Sequence, residues 1–127
     1  MNTTTQEILD YFQCTNANKW VEADTLLLAL KIWSVFEKYT RFNMPEPNLS
    51  FGSQKQAGFN WRKYNLGDNK EFLEIEIFPD GNCEFYYNGT RGVLFLQKNL
   101  KSIEKPTATT FIPKKIRDKI SLFYMDK

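Results

Sequence analysis

Three glutamates, Glu74, Glu76 and Glu84, come nearest to chemistry in this sequence by type and spacing. They sit at alternate positions on two neighbouring apolar–polar runs, so all three fall on one side of a sheet. Such a cluster could hold a divalent cation, or Glu74 and Glu84 could work as acid and base across a cleft. Alternating glutamates on a solvent-facing strand also serve solubility alone, and an exposed pair lacks the burial that moves a carboxyl toward neutrality. The two cysteines, Cys14 and Cys83, form no C-x-x-C pair and read as small core fillers, Cys83 on the same strand face as Phe85. Apolar surroundings of that kind raise a thiol's pKa and quench its nucleophilicity.

The chain has no histidine. That removes Ser-His-Asp and Cys-His nucleophile systems, H-E-x-x-H zinc sites and imidazole proton shuttles. No G-x-G-x-x-G, G-x-x-x-x-G-K-[ST] or G-x-S-x-G spacing occurs either, so nucleotide cradles and the hydrolase elbow are unsupported. The expectation is a non-enzymatic protein with no cofactor and no metal.

The carboxylates depend on the hairpin Phe72–Tyr87. Its turn is Pro79-Asp80-Gly81, with Pro presetting φ and Gly81 taking the left-handed position. A three-residue loop sets Ile77 against Cys83, Ile75 against Phe85 and Leu73 against Tyr87, all on the core side. Glu76 then faces Glu84 on the other side. Pairing Trp61 with Ile75 would place Arg62 beside Glu74, where a cation relieves the acidic face. Asn48–Ser53 and Ala57–Tyr64 read as the preceding strands, joined through Gln54-Lys55-Gln56. Asn88-Gly89 is a second turn signal, and Arg91–Gln97 follows as a last strand.

Helices flank this meander. Residues 4–14 fit a short amphipathic helix, opened by a capping box at Thr4 and Glu7. Asp24 to Phe42 is a longer one, capped by Asp24, with a narrow polar stripe of Lys31, Ser34, Lys38 and Arg41. Its apolar arc is wider than one sheet face can cover, so another helix or a partner covers the rest. Pro45 and Pro47 prevent continuation. Residues 97–105 are open between helical turn and loop, and 106–110 read as punctuation. Pro113–Met125 reads as a helix with Pro at its first turn, Ile116, Ile120 and Phe123 inward, and Lys114, Lys115, Arg117 and Lys119 outward. The fold class is therefore α+β: two N-terminal helices, a four- or five-stranded antiparallel meander and a C-terminal helix, in a single domain over 1–127.

Length and composition agree with one globular unit: 127 residues, 42% hydrophobic and 16% aromatic. The net charge of +2 is divided unevenly: residues 1–90 hold 8 Lys/Arg against 12 Asp/Glu, whereas 91–127 hold 9 against 3. The basic last third is either a solvated balance to the acidic part or an anion-facing surface. The N-terminus lacks the charged and apolar regions of a signal peptide, and no apolar run approaches the roughly 20 residues that cross a bilayer. A reducing cytoplasmic setting without membrane attachment is expected.

Two partner classes remain. Trp20, Tyr39 and Arg41 are of the types enriched at interface hot spots, which favours another protein as partner and leaves a homodimer open; Trp33 reads as core. Nucleic acid is the alternative, bound through Lys114, Lys115, Arg117 and Lys119 with outward Tyr64, Phe78 and Tyr86 as stacking surfaces. The three glutamates on that face oppose phosphate.

Asn18-Lys-Trp20, the helix after it, Pro45-Glu-Pro47, Phe59-Asn-Trp61 and Leu73–Ile77 closed by Asp80-Gly81 form a pattern. Over about residues 18–88 it resembles a diffuse group of small uncharacterised bacterial proteins, often encoded beside toxin–antitoxin or defence genes. The resemblance implies a small cytosolic accessory protein with no known catalysis. Separately, the missing catalytic chemistry and the wide apolar arc on Asp24–Phe42 lead to the expectation of stoichiometric binding to another protein, as an inhibitor or antitoxin-like neutraliser of bacterial or phage origin. It transfers no functional residue; the segment after Trp20 lacks the pattern's Gly-rich turn, and 91–127 have no counterpart.

Overall fold

A computed structural model of the protein describes residues 6, 10, 23–41, 43–64, 70–102 and 107–125. The architecture is α+β: an N-terminal helix, a five-stranded antiparallel sheet and a C-terminal helix. Helix α1 spans Ala23–Thr40. The strands are β1 (Asn48–Phe51), β2 (Ala57–Tyr64), β3 (Lys70–Ile77), β4 (Asn82–Gly89) and β5 (Gly92–Asn99), in the order β1-β2-β3-β4-β5. A one-turn helix, α2 (Ala108–Phe111), and α3 (Lys114–Ile120) follow. Of the helix expected over 4–14, only Gln6 and Asp10 fall within the described residues; Cys14, Trp20 and the 15–19 linker lie outside them.

Alternation builds the sheet. Leu73, Ile75 and Ile77 on β3 oppose Tyr87, Phe85 and Cys83 on β4, as the apolar pattern dictates, and all six are buried. Phe78 donates its N–H to the Asn82 carbonyl at 2.9 Å, Gly81 donates to Phe78 at 2.9 Å, and Gly81 adopts φ +89°. This is a type I turn closed by a left-handed residue, the geometry of a three-residue hairpin loop. The Asp80 carboxylate accepts the Asn82 N–H at 2.9 Å and fixes the turn further.

The β2–β3 register differs from the expected one by two residues. Trp61 pairs with Leu73 and Phe59 with Ile75, so Arg62 stands opposite Phe72 and Glu74 opposite Asn60. A shift of two preserves every side chain's face, which is why the burial pattern holds although the pairing does not. The second turn also moves: Asn88 and Gly89 belong to β4, Gly89 pairs with Gly92, and Thr90-Arg91 make the turn.

One face of the sheet is packed. Trp33, Phe36, Phe59 and Trp61 stack in a single cluster, with ring centroids 5.0 Å apart for Phe36–Trp61 and 5.5 Å for Trp33–Phe59. Trp61 also donates its indole N–H to the Pro45 carbonyl at 2.8 Å, which anchors the chain leaving α1. Trp33 is core, as its helical spacing indicates. Asp24 lies within the first turn of α1 rather than capping it, and there its charge complements the macrodipole. The helix ends at Thr40, with Arg41 at φ 53° in the left-handed position.

At the C-terminus Pro113 precedes α3 as its cap, with ψ 142°, so the helix begins at Lys114; it closes at Ile120 into a 3-10 turn over Ser121–Phe123. Ile116, Ile120 and Phe123 are buried against the sheet. Of the segment 106–110, read as punctuation, Pro106 lies outside the described residues and Ala108–Thr110 belong to α2; Phe111 and Ile112 are fully buried, Phe111 against Phe85 at 5.2 Å. A Thr107–Thr110 hydroxyl network at the start of α2 supplies the local bonds.

Candidate functional site

The other face of the sheet carries no helix among the described residues, and it divides into two halves. Its acidic half is Glu74, Glu76 and Glu84. Glu76 stands directly opposite Glu84, and each carboxylate takes an amide donor: Gln56 to Glu76 at 3.1 Å and Gln97 to Glu84 at 3.2 Å. Burial, followed by the charge of Glu76 and a bond to it, pushes Glu74 up to about 7; Arg62 works in the other direction. Burial and the neighbouring Glu76 also raise Glu84. Among the described residues no group of three carboxylates or thiols is placed to hold a metal ion.

A carboxyl whose folded pKa is raised favours the folded state where it is protonated. Glu74 therefore contributes stability fully below its unfolded value of 4.5, and that contribution is lost as pH rises toward about 7. Glu74→Gln keeps the neutral shape at every pH. The variant is expected to melt at the same temperature as wild type near pH 4 and above it near pH 8. Melting curves across that range check this; parallel curves for the two proteins would remove the buried-carboxyl account.

The second half is aromatic and basic. The Arg62 guanidinium lies over the Phe72 ring at 4.9 Å, and the Lys70 ammonium over Tyr64 at 5.4 Å. Phe72 meets Tyr86 edge to face at 5.9 Å. With Asn88, these side chains line an open depression of about 400 Å³. Tyr64 is 66% exposed, and across β4 the face continues to Phe95 and Val93, 55% and 62% exposed. Arg62 thus serves this half through stacking, and reaches Glu74 only diagonally.

Beneath the depression lies a carboxylate absent from the sequence reading. Glu71 is buried on the packed face, where its carboxylate accepts the Tyr87 hydroxyl at 2.6 Å, the Thr90 hydroxyl and the Thr90 N–H at 3.3 Å. Burial alone would raise its pKa, but the Thr90 and Tyr87 bonds, with Arg91 nearby, hold it below the ordinary carboxylate range. Burial and the Glu71 bond raise the Tyr87 phenol in turn. The signal for Glu71 was its parity: it shares odd numbering with Leu73, Ile75 and Ile77.

The residues expected to meet a partner are dispersed. Tyr39 and Arg41 lie at the C-terminal end of α1, close enough to Tyr124 to act on its phenol. Lys114 and Lys115 are exposed on α3, Lys114 with Asp118 at 3.7 Å. Arg117 and Lys119 do not project freely: the Arg117 Nε is buried, and the Lys119 ammonium lies 6.0 Å from the Tyr87 ring centre. Phe78 is half-buried at the hairpin turn. Cys83 is fully buried, and burial drives its thiol well above the ordinary range.

Comparison of the chain with protein-family models, curated proteins and solved structures gives no match. No described helix is long and apolar enough to cross a membrane.

Proposed function

We propose that this is a non-enzymatic protein-binding module that engages another protein through the open face of its sheet, as an inhibitor or antitoxin-like accessory protein of bacterial or phage origin. The observation that carries the reading is the aromatic–basic half of that face, which no helix covers among the described residues and where Tyr64, Phe72 and Tyr86 surround two cations. Aromatic rings and arginine are the side chains from which interface hot spots are built. An extended partner segment bearing an apolar and an acidic side chain would fit the rings and the Arg62–Lys70 pair. A cytoplasmic setting and a first helix over residues 4–14 belong to the same proposal; Gln6 and Asp10 join by an amide–carboxylate bond of 2.9 Å, the i,i+4 spacing of a helix.

The test is capture from a lysate of the native host. Tyr64→Ala with Lys70→Ala is expected to reduce the captured partner at least about tenfold, the loss of an aromatic anchor and of the cation stacked on it at roughly 1.4 kcal/mol or more together. Lys114→Ala with Lys115→Ala is expected to leave capture intact. The reverse pattern would move the interface to α3 and end this reading.

One observation favours a second reading, nucleic-acid binding. Cations beside exposed rings can hold phosphate while a base stacks on Tyr64. This shifts the anion site from α3, whose Arg117 and Lys119 are partly buried, to Arg62 and Lys70. Salt-dependent binding of a labelled single-stranded oligonucleotide, weakened by Arg62→Ala, would select it.

A further inference from the structure

Strand β5 ends the sheet, and among the described residues no strand pairs with its outer edge. The direction of its backbone groups follows from the hairpins. Phe78 bonds Asn82, so on β4 the even residues point to β3 and the odd ones to β5. Gly89 pairs with Gly92, Tyr87 with Leu94 and Phe85 with Leu96, which turns Gly92, Leu94 and Leu96 inward. Val93, Phe95 and Gln97 therefore direct their N–H and C=O groups to the outer edge, which no described strand occupies.

The two edges are built differently. β1 has four residues and follows Pro45 and Pro47, which blunts it. β5 has eight residues, no proline and a single charge, Lys98, and its Val93-Leu-Phe-Leu96 run has high strand propensity. An edge of that length and composition is a template for another strand.

We propose that β5 pairs antiparallel with β5 of a second copy of this chain, joining two sheets into one of ten strands. The sequence of the edge selects this occupant. A two-fold axis through Phe95 sets Phe95 against Phe95, Val93 against Gln97, and Leu94 against Leu96 of the other copy. Each pair then lies on one face, so the exposed rings continue across the junction and the leucines extend the packed side. Phe95, Val93 and Gln97 are the residues with outward backbone groups, so the Phe95–Phe95 pair and the two flanking Val93–Gln97 pairs exchange hydrogen bonds, while the Leu94–Leu96 pairs between them do not. Lys98 meets Gly92, and no like charges stand opposite. Moving the axis to Lys98 would oppose two lysines; the Phe95 axis avoids that. The dimer goes beyond the partner-binding reading, since it is a property of the pure protein and either can fail alone.

Light scattering on the purified full chain is expected to give twice the 15.0 kDa of one chain at high micromolar concentration. Phe95→Lys puts two cations across the axis, and Phe95→Pro removes an outward N–H that β4 does not use. Both are expected to halve the mass, with circular dichroism unchanged. Amide exchange of the wild-type chain reads the same edge without substitution: protection at Val93, Phe95 and Gln97 should rise with concentration. A monomer at all concentrations would overturn the proposal. So would a dimer that persists in both variants, or edge protection in a monomer that does not depend on concentration, which would mean the chain covers its own edge.

Discussion

Trp61→Ala is expected to cost about 3–5 kcal/mol, the range for deleting a large buried aromatic, and to lower the melting temperature by at least about 10 °C. Trp61 is 2% exposed and stacks on both Phe36, at 5.0 Å, and Trp33, at 6.1 Å. It couples three segments at once, because the ring joins β2 to α1 while its N–H holds the Pro45 carbonyl. Alanine leaves a cavity between rigid rings that cannot collapse, and orphans a carbonyl. Trp61→Phe restores most of the ring but not the N–H, so its loss is expected to be smaller, about 1–2 kcal/mol. Chemical denaturation of the three proteins checks the order; equal stability of Trp61→Phe and Trp61→Ala would mean the indole bond dominates and the stack does not.

That cluster was legible because period alone specifies it. Trp33 and Phe36 fall three apart on a helix, and Phe59 and Trp61 two apart on a strand, so each pair shares a face before any pairing is known. The hairpin β3–β4 was legible for the same reason, reinforced by a turn whose residues admit one geometry. Pairing between β2 and β3 was not, because a loop separates them and a slip of two residues leaves every face unchanged. The Arg62–Phe72 stack decides what parity leaves open. Ala108–Thr110 read as punctuation because α2 is a single turn, too short for any periodicity, although its last residue, Phe111, fills the core beside Phe85.

The candidate site was legible in its residue types and not in its arrangement. Glu74, Glu76 and Glu84 do share one face, and Tyr64 and Tyr86 share it with them. What alternation could not give was the division of that face, which follows from diagonal contacts: Arg62 over Phe72, Lys70 over Tyr64. Nor could it give α3's true presentation. Helical spacing makes four basic residues equivalent, whereas packing half-buries Arg117 and Lys119 and leaves Lys114 and Lys115 exposed. The Asn88-Gly89 turn was displaced by the same kind of tertiary effect, since the Glu71 carboxylate takes the Thr90 N–H and the Tyr87 hydroxyl takes the Arg91 N–H at 3.2 Å.

That displacement makes Glu71 the source of the second large effect. Glu71→Ala is expected to cost about 2–4 kcal/mol, because the Tyr87 hydroxyl and the Thr90 donors lose their acceptor inside the fold. The pH dependence has a definite sign. A carboxyl with a lowered folded pKa contributes stability above its unfolded value of 4.5, and the contribution disappears as pH falls through the folded value. Wild type should therefore lose stability in that acid range where Glu71→Ala loses less. Gly89 supplies an independent check: a Cβ there would collide with the Glu71 carboxylate and crowd the Tyr87 hydroxyl at 2.5 Å. Gly89→Ala is expected to be strongly destabilising in wild type and much milder beside Glu71→Ala, where the carboxylate is gone. A double-mutant cycle by denaturation should show coupling of about 0.5–3 kcal/mol, the range for residues in contact. If the two costs simply add, Gly89 is glycine for some other reason, and the carboxylate does not set the turn.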